Sequence, residues 1–197
     1  MTALAISNVV LWLVVICLVF VLLALTRQLG VLHERIAPAG ALMINRGPAI
    51  GAAVAALDVV DLQGRDLRIG AARADGKSTL ILFVSPTCPV CKALLPVVRS
   101  SREQERAWLE VVLASDGDPV EHRQFVQEHQ LRDFAYVLSP SLGLNYQVNR
   151  LPFAALIDAA GVLRARGLVN SREHLESLFE AQRLGVASLQ EYFSSHA

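Results

Sequence analysis

The most constraining feature of this sequence is a buried-strand pattern that leads directly into two closely spaced cysteines. Residues 79–85 read TLILFVS, an apolar and β-branched run typical of a strand covered on both faces. Cys88 and Cys91 follow, and residues 92–109 have helical character. The pattern therefore predicts a strand, a short turn and a helix whose N-terminus lies at Cys88.

A cysteine at the N-terminus of a helix is well placed for thiol chemistry. Unpaired backbone N–H groups and the positive end of the helix dipole favour an anion there. Pro89 suits the first helical turn, because the backbone N–H that proline lacks would have no intrahelical partner at that position. We therefore expect the pKa of Cys88 to lie below the ~8.5 of a free cysteine. Cys88 would be the nucleophile, and Cys91, one turn later, the resolving cysteine.

Other interpretations of the pair are a structural disulfide, two inert thiols and half of a metal site. A metal site needs further ligands, and none of the histidines shows zinc-like spacing to the pair; they are His33, His122, His129, His174 and His196. His122 and His129 lie on a predicted polar helix face, so we expect both to be solvated. The chain has three cysteines, too few for a disulfide framework, which favours a working dithiol.

The N-terminal region predicts a membrane anchor. Residues 1–26 contain no Asp, Glu, Lys, Arg or His, and residues 9–25 are all apolar, including Cys17. This approaches the ~20 residues that span a bilayer as a helix. A cleaved signal peptide is the alternative, but a basic start and a small-residue cleavage site are both missing. We predict one transmembrane helix over residues 1–26 and a tether over residues 27–50.

The remainder predicts a single α/β domain over residues 51–185, with a C-terminal tail over residues 186–197. Two short strands surround a turn at Gln63 and Gly64, and strands then alternate with helices until a final hairpin and helix. This order predicts a mixed sheet with helices on both faces. The formal net charge is zero, which argues against nucleic-acid binding.

The pattern around the cysteines resembles the thioredoxin superfamily. The shared features are the strand, the CxxC pair, a helix with Pro96 inside it, and Leu151-Pro152 before a later strand. The resemblance implies that Pro152 is cis, faces the dithiol and contacts the substrate backbone. It also implies that the dipeptide between the cysteines, Pro89 and Val90, tunes the reduction potential.

One departure from that superfamily bears on the direction of electron flow. Thioredoxins carry a buried acid six residues before the first cysteine, and this chain has Leu82 there. Without a proton acceptor, deprotonation of Cys91 would be less assisted, which weakens the interpretation as a reductase. A proline after the first cysteine also occurs in strong oxidants of the superfamily. We therefore favour an oxidant or isomerase, and reductase activity stays open.

A narrower resemblance covers most of the chain. Stretches such as RQLGVLHERIAPAGAL, SPTCPVCK and GLVNSREHLESLFEA are similar to the methylamine utilization accessory protein D family. The resemblance implies a protein of the bacterial inner membrane with a periplasmic thioredoxin-like domain. It would mature the methylamine dehydrogenase small (beta) subunit precursor, with a membrane redox partner and no cofactor beyond the Cys88–Cys91 disulfide.

Three further points stay open at the level of sequence. Arg27, Arg35 and Arg46 all follow the apolar run, and the positive-inside rule would then place the domain in the cytoplasm. A peroxidase would need a threonine one helical turn from the cysteine and an arginine, whereas Thr87 is adjacent to Cys88. A non-catalytic escort of the immature subunit, docking around Pro152, is the remaining alternative.

Overall fold

The computed structural model describes residues 6–8, 10–20 and 47–184, and the chain divides into two units, Met1–Asn45 and Arg46–Ala197. In the first unit, residues 6–8 and 10–20 are helical. Within the described ranges, no helix is both long enough and apolar enough to cross a membrane. The predicted anchor, tether and tail lie partly or wholly outside these ranges, at residues 1–5, 9, 21–46 and 185–197.

The strands described in the second unit are β1 (Leu57–Val60), β2 (Asp66–Ile69), β3 (Ser78–Phe83), β4 (Leu109–Ser115), β5 (Ala135–Leu138), β6 (Phe153–Ile157) and β7 (Leu163–Leu168). Five of them form a mixed sheet with the strand order β5-β4-β3-β6-β7. Strands β3, β4 and β5 are parallel, whereas β6 is antiparallel to both β3 and β7. An antiparallel pair, β1 and β2, precedes the sheet and forms the predicted first hairpin.

Within residues 47–184, four helices connect or follow these strands. They are α1 (Pro89–Gln104), α2 (Pro119–Glu128), α3 (Pro140–Tyr146) and α4 (Arg172–Leu184). The first three begin in the same way: a proline in the first turn follows an N-cap side chain that accepts a backbone hydrogen bond. Those caps are Cys88, Asp118 and Ser139. The start signal Asp118-Pro119 can be read in the sequence, whereas α3 was not predicted.

The sheet is covered on both faces, as the sequence predicted. Helices α1, α2 and α4 pack on one face, where Leu80, Leu82 and Val84 point. Helix α3 and the β1–β2 hairpin contribute to the other face, together with Ile81 and Phe83. All six residues of β3 are buried because this strand lies in the middle of the sheet with cover on both sides.

The strand register decides where the functional loops lie. Phe83 ends β3 and is the register partner of Phe153, which begins β6. The turn after β3 and the loop before β6 therefore leave the sheet at the same edge. The first carries Cys88 and the second carries Pro152, so the topology brings both segments to one end of the domain.

Candidate redox site

Cys88 and Cys91 form a disulfide with a Cα–Cα distance of 5.2 Å. Cys88 is the N-cap of α1 with extended backbone angles, φ −89° and ψ 108°, and Pro89 is the first helical residue. The backbone N–H of Cys91 donates a hydrogen bond to the Sγ of Cys88 at 3.1 Å. The Cys88 sulfur therefore occupies the position where an N-cap side chain accepts from the free N–H groups of the helix.

The two cysteines differ in exposure. Cys91 is fully buried and packs in the core beneath α1, whereas Cys88 is only half-buried. Pro89 and Val90 lie between them on the surface, with Val90 42% exposed. An external thiol can therefore reach the sulfur of Cys88 more readily than that of Cys91.

The turn before the disulfide is held by a dense set of hydrogen bonds. Val84 N–H donates to the Ala114 carbonyl at 2.9 Å, which continues the β3–β4 pairing past the end of β3. Cys88 N–H donates to the Ser85 carbonyl at 3.1 Å, and Thr87 N–H donates to the Ser85 hydroxyl at 3.3 Å. These bonds fix the path of the chain from the end of β3 to Cys88 at the start of α1.

Pro152 lies on the neighbouring loop at the same edge of the sheet. The peptide bond between Leu151 and Pro152 is cis. The Pro152 carbonyl accepts a hydrogen bond from the Val169 N–H at 3.0 Å, and the Pro152 side chain is buried. The rings of Phe83 and Phe153 lie 6.2 Å apart between their centroids, so the strands that carry the two loops also pack against each other here.

The interior below the disulfide is apolar. Leu82 is fully buried and has Leu113 on β4 and Ala154 on β6 as register partners, both also fully buried. In the described part of the chain, the buried carboxylate is that of Asp61, whose Oδ1 accepts from the backbone N–H groups of Gln63 and Arg65. No buried acid therefore replaces the one missing at Leu82 among these residues.

The expectation that His122 is solvated was wrong. His122 is 2% exposed, and its Nδ1 lies 2.8 Å from the hydroxyl of Tyr136 on β5. Its Nε2 lies 2.8 Å from the Asp116 carbonyl oxygen, which can only accept, so Nε2 donates in this contact. The Ser115 hydroxyl donates to the Val84 carbonyl at 2.7 Å. His129, in contrast, is half-buried at the end of α2.

This polar group was missed because its partners are distant in the sequence. Burial is the main cause that raises the pKa of Tyr136, while a hydrogen bond with Ser115 acts in the opposite direction. Tyr136, Ser115 and His122 come from three elements, β5, β4 and α2, and meet only after the sheet has formed. The one local signal was a histidine at the fourth residue of α2, on the side of the helix that also carries Phe125 and Val126.

Comparison with known proteins identifies close relatives, although no family model matches the chain. The methylamine utilization protein MauD of Paracoccus denitrificans is 47% identical over 189 residues, which cover 96% of this chain and 94% of the relative. MauD of Methylorubrum extorquens is 45% identical, and the matched region covers 96% of this chain and 91% of the relative.

Solved structures show the same fold at low sequence identity. The pneumococcal exposed lipoprotein thioredoxin of Streptococcus pneumoniae has a TM-score of 0.56 at 18% identity, covering 64% of this chain and 99% of its own. A thioredoxin-like protein from Aeropyrum pernix has a TM-score of 0.55 at 15% identity, and the match covers 64% of this chain and 89% of that protein. The fold of the second unit is thus thioredoxin-like, and with near-complete coverage of relatives at 42–47% identity, the chain belongs to the MauD family of methylamine utilization proteins.

Proposed function

We propose that this chain is a membrane-anchored thiol–disulfide oxidoreductase that forms or isomerises disulfides in the small (beta) subunit of methylamine dehydrogenase. The observation that carries the proposal is the unequal exposure of the two cysteines at the N-terminus of α1. Cys88 is accessible and hydrogen-bonded as an N-cap, and Cys91 is buried. Membership of the MauD family supports a role in methylamine utilization.

The proposed reaction begins with the oxidised disulfide. A substrate thiolate attacks the Cys88 sulfur, the Cys88–Cys91 bond breaks, and Cys91 leaves as a thiolate that takes up a proton. The new bond joins the substrate sulfur to Cys88. A second substrate thiolate then attacks the substrate sulfur of this mixed disulfide and releases Cys88 as a thiolate. The substrate has lost two electrons and gained a disulfide, and the dithiol has accepted the two electrons.

Cys91 reverses the first step when no second substrate thiolate attacks the mixed disulfide. Its thiolate attacks Cys88, restores the intramolecular disulfide and releases the substrate thiol, which allows incorrect pairings to be exchanged. Net oxidation requires that the reduced dithiol be reoxidised, and we assign this step to a membrane redox partner that accepts two electrons. The cis Pro152 loop lies at the same edge of the sheet and would pair with the substrate backbone.

The proposal places the domain in the periplasm, held by residues 1–26. The apolar side chains at the N-terminus support an anchor: Leu11, Trp12 and Leu13 are each more than 60% exposed in the first unit. An oxidising compartment also suits a single redox-active disulfide. The arginines at 27, 35 and 46 argue for the opposite orientation. Alkaline phosphatase fused after Ala197 decides between them, because it is active only in the periplasm.

Complementation tests the function. A methylamine-utilising bacterium that lacks its own MauD is given this chain or a cysteine variant, and its methylamine dehydrogenase activity is measured. Cys88→Ala and Cys91→Ala should both abolish maturation, whereas Cys17→Ala, which removes the cysteine outside the disulfide, should leave it intact. Full maturation by Cys88→Ala would rule out disulfide exchange and favour a non-catalytic escort.

A further inference from the structure

A cleft of about 600 Å³ lies beside β5, the strand at one edge of the five-stranded sheet. Its walls are helix α2, the turn between β1 and β2, and the segment that joins α2 to β5. Leu62, Val126 and Tyr136 supply its apolar lining, and the volume lies within the ~300–1,000 Å³ of small-molecule sites. None of its lining residues belongs to the disulfide segment or to the Pro152 loop.

The walls of the cleft are tied to one another by hydrogen bonds. The backbone N–H of Leu62 donates to the Tyr136 carbonyl at 2.8 Å, which joins the turn between β1 and β2 to β5. The side-chain Nε2 of Gln63 donates to the Arg132 carbonyl at 2.7 Å, which joins the same turn to the segment after α2. The concave shape is therefore set by contacts within the chain and does not depend on a ligand.

Two guanidinium groups line the cleft, those of Arg123 on α2 and Arg132 on the segment after it. Within residues 47–184, neither guanidinium forms an ion pair with a carboxylate. Arg65, at the end of the neighbouring turn, is in contrast paired with Asp61, with 2.6 Å between Nε and Oδ2. The described lining contains no aspartate or glutamate, so its charged side chains are both positive and favour an anion.

The position of the cleft along α2 distinguishes among anions. Val126 and Gln127 lie in the last turn of this helix, which ends at Glu128, and the helix dipole is negative at that end. Inorganic phosphate is bound best at the opposite end of a helix and gains nothing from apolar walls. An organic carboxylate with an apolar body can place its charge against the guanidinium groups and its body against Leu62 and Val126.

We propose that this cleft binds a small organic carboxylate with an apolar body. The guanidinium groups of Arg123 and Arg132 hold the carboxylate, and the apolar body leaves water when it packs against the lining between them. No cysteine takes part in this binding. The inference therefore goes beyond the proposed function and does not depend on it.

Calorimetric titration of the full chain in a non-ionic detergent tests the proposal, with a titration into the detergent alone subtracted. Benzoate has both the negative charge and the apolar body, whereas acetate has only the charge and benzamide has only the body. Benzoate should bind at least about tenfold more tightly than either acetate or benzamide, because it alone makes both kinds of contact. It should also bind more tightly than inorganic phosphate.

Two substitutions locate the binding site. Arg123→Gln and Arg132→Gln should each weaken benzoate binding about tenfold and leave the weak binding of benzamide unchanged. Both side chains are exposed, so each variant should keep the circular dichroism spectrum of the wild type. Arg106→Gln is the matched control, since Arg106 is 75% exposed and does not line the cleft, and it should bind benzoate as the wild type does.

Several results would overturn the inference. They are benzoate binding no tighter than that of benzamide, benzoate binding unchanged in both folded cleft variants, or an equal loss in the Arg106→Gln variant. Tighter binding of phosphate than of benzoate would assign the cleft to an inorganic anion instead. Binding of a peptide that ends in phenylalanine with a free carboxylate, without binding of benzoate, would assign the cleft to a polypeptide and overturn the small-molecule assignment.

Discussion

The Sγ of Cys88 accepts a hydrogen bond from the backbone N–H of Cys91 at 3.1 Å, within the first turn of α1. After reduction of the disulfide, the same N–H and the helix dipole are positioned to stabilise a thiolate at Cys88. Cys91 is buried in an apolar core, where the charged form of a thiol is disfavoured. One short stretch of chain thus gives its two cysteines opposite environments.

The first prediction follows from this asymmetry. In the reduced protein, iodoacetamide at pH 6 should modify Cys88 at least about tenfold faster than a free cysteine peptide, because the thiolate is the reacting species. Cys91 should stay unmodified until the protein is denatured, since its sulfur is inaccessible. Mass spectrometry of the digested protein measures both rates. Faster labelling of Cys91 than of Cys88 would contradict the assigned roles.

The second prediction concerns the direction of electron flow. Leu82 and its register partner Leu113 are both fully buried, so the face of β3 and β4 that packs beneath α1 offers no proton acceptor at this position. A stabilised Cys88 thiolate favours the reduced state and therefore makes the protein more oxidising. Its reduction potential, measured against glutathione, should be well above the ~−270 mV of thioredoxin. A potential at or below that value would favour a reductase.

The elements that the sequence predicted are those with a strong local pattern. Residues 79–85 form a buried strand because a continuous apolar run suits the centre of a covered sheet, and Asp118-Pro119 marks the start of α2. Helix α3 was missed because it has only seven residues and Gly143 inside it, although Ser139-Pro140 is the same kind of start signal.

Pro152 and His122 show the same difference between what a local sequence pattern predicts and what it leaves undetermined. The Leu151-Pro152 dipeptide was recognised through its resemblance to a known family, since nothing in the local sequence sets the isomer. His122 was expected on a solvated face, but Tyr136, fourteen residues later, supplies a buried partner. A contact between elements, rather than a propensity within one, decided the burial of His122.

The third prediction tests that buried pair. Tyr136→Phe removes the hydroxyl that is hydrogen-bonded to His122 Nδ1 and leaves this buried nitrogen without that partner. The free energy of unfolding should fall by about 1–3 kcal/mol. Urea denaturation measures the loss. Tyr146→Phe is the matched control on the opposite face of the sheet, where burial raises the pKa of Tyr146 to about 12, and it should cost less. Equal losses would show that the His122 contact contributes nothing.

The fourth prediction concerns acid stability at Asp61. Burial alone would raise the pKa of this carboxyl, but hydrogen bonds from the Arg65 backbone and guanidinium and from the Gln63 N–H together lower it below the ordinary 3.8. Because the folded-state pKa is depressed, the stabilisation is present above about pH 4 and is lost as the pH falls through the folded-state value.

Asp61→Asn should therefore reduce the free energy of unfolding by about 1–3 kcal/mol at pH 7 and by much less at pH 2. Urea denaturation at the two pH values measures the difference. Asp58→Asn is the control. Asp58 is exposed, and its Oδ1 lies 3.5 Å from the Nε of Arg68. Such a surface ion pair contributes little to the free energy of unfolding. An Asp61→Asn deficit that is equal at both pH values would contradict the assigned ion pair.

The most direct test of the central claim is the capture of a mixed disulfide in cells that mature methylamine dehydrogenase. In a Cys91→Ala chain, Cys88 can form an intermolecular disulfide that no longer resolves internally. The account predicts a covalent complex with the dehydrogenase small subunit that disappears on reduction and is missing in the Cys88→Ala, Cys91→Ala double variant. The account would be contradicted if no such complex formed while the Cys88→Ala chain still supported full dehydrogenase activity.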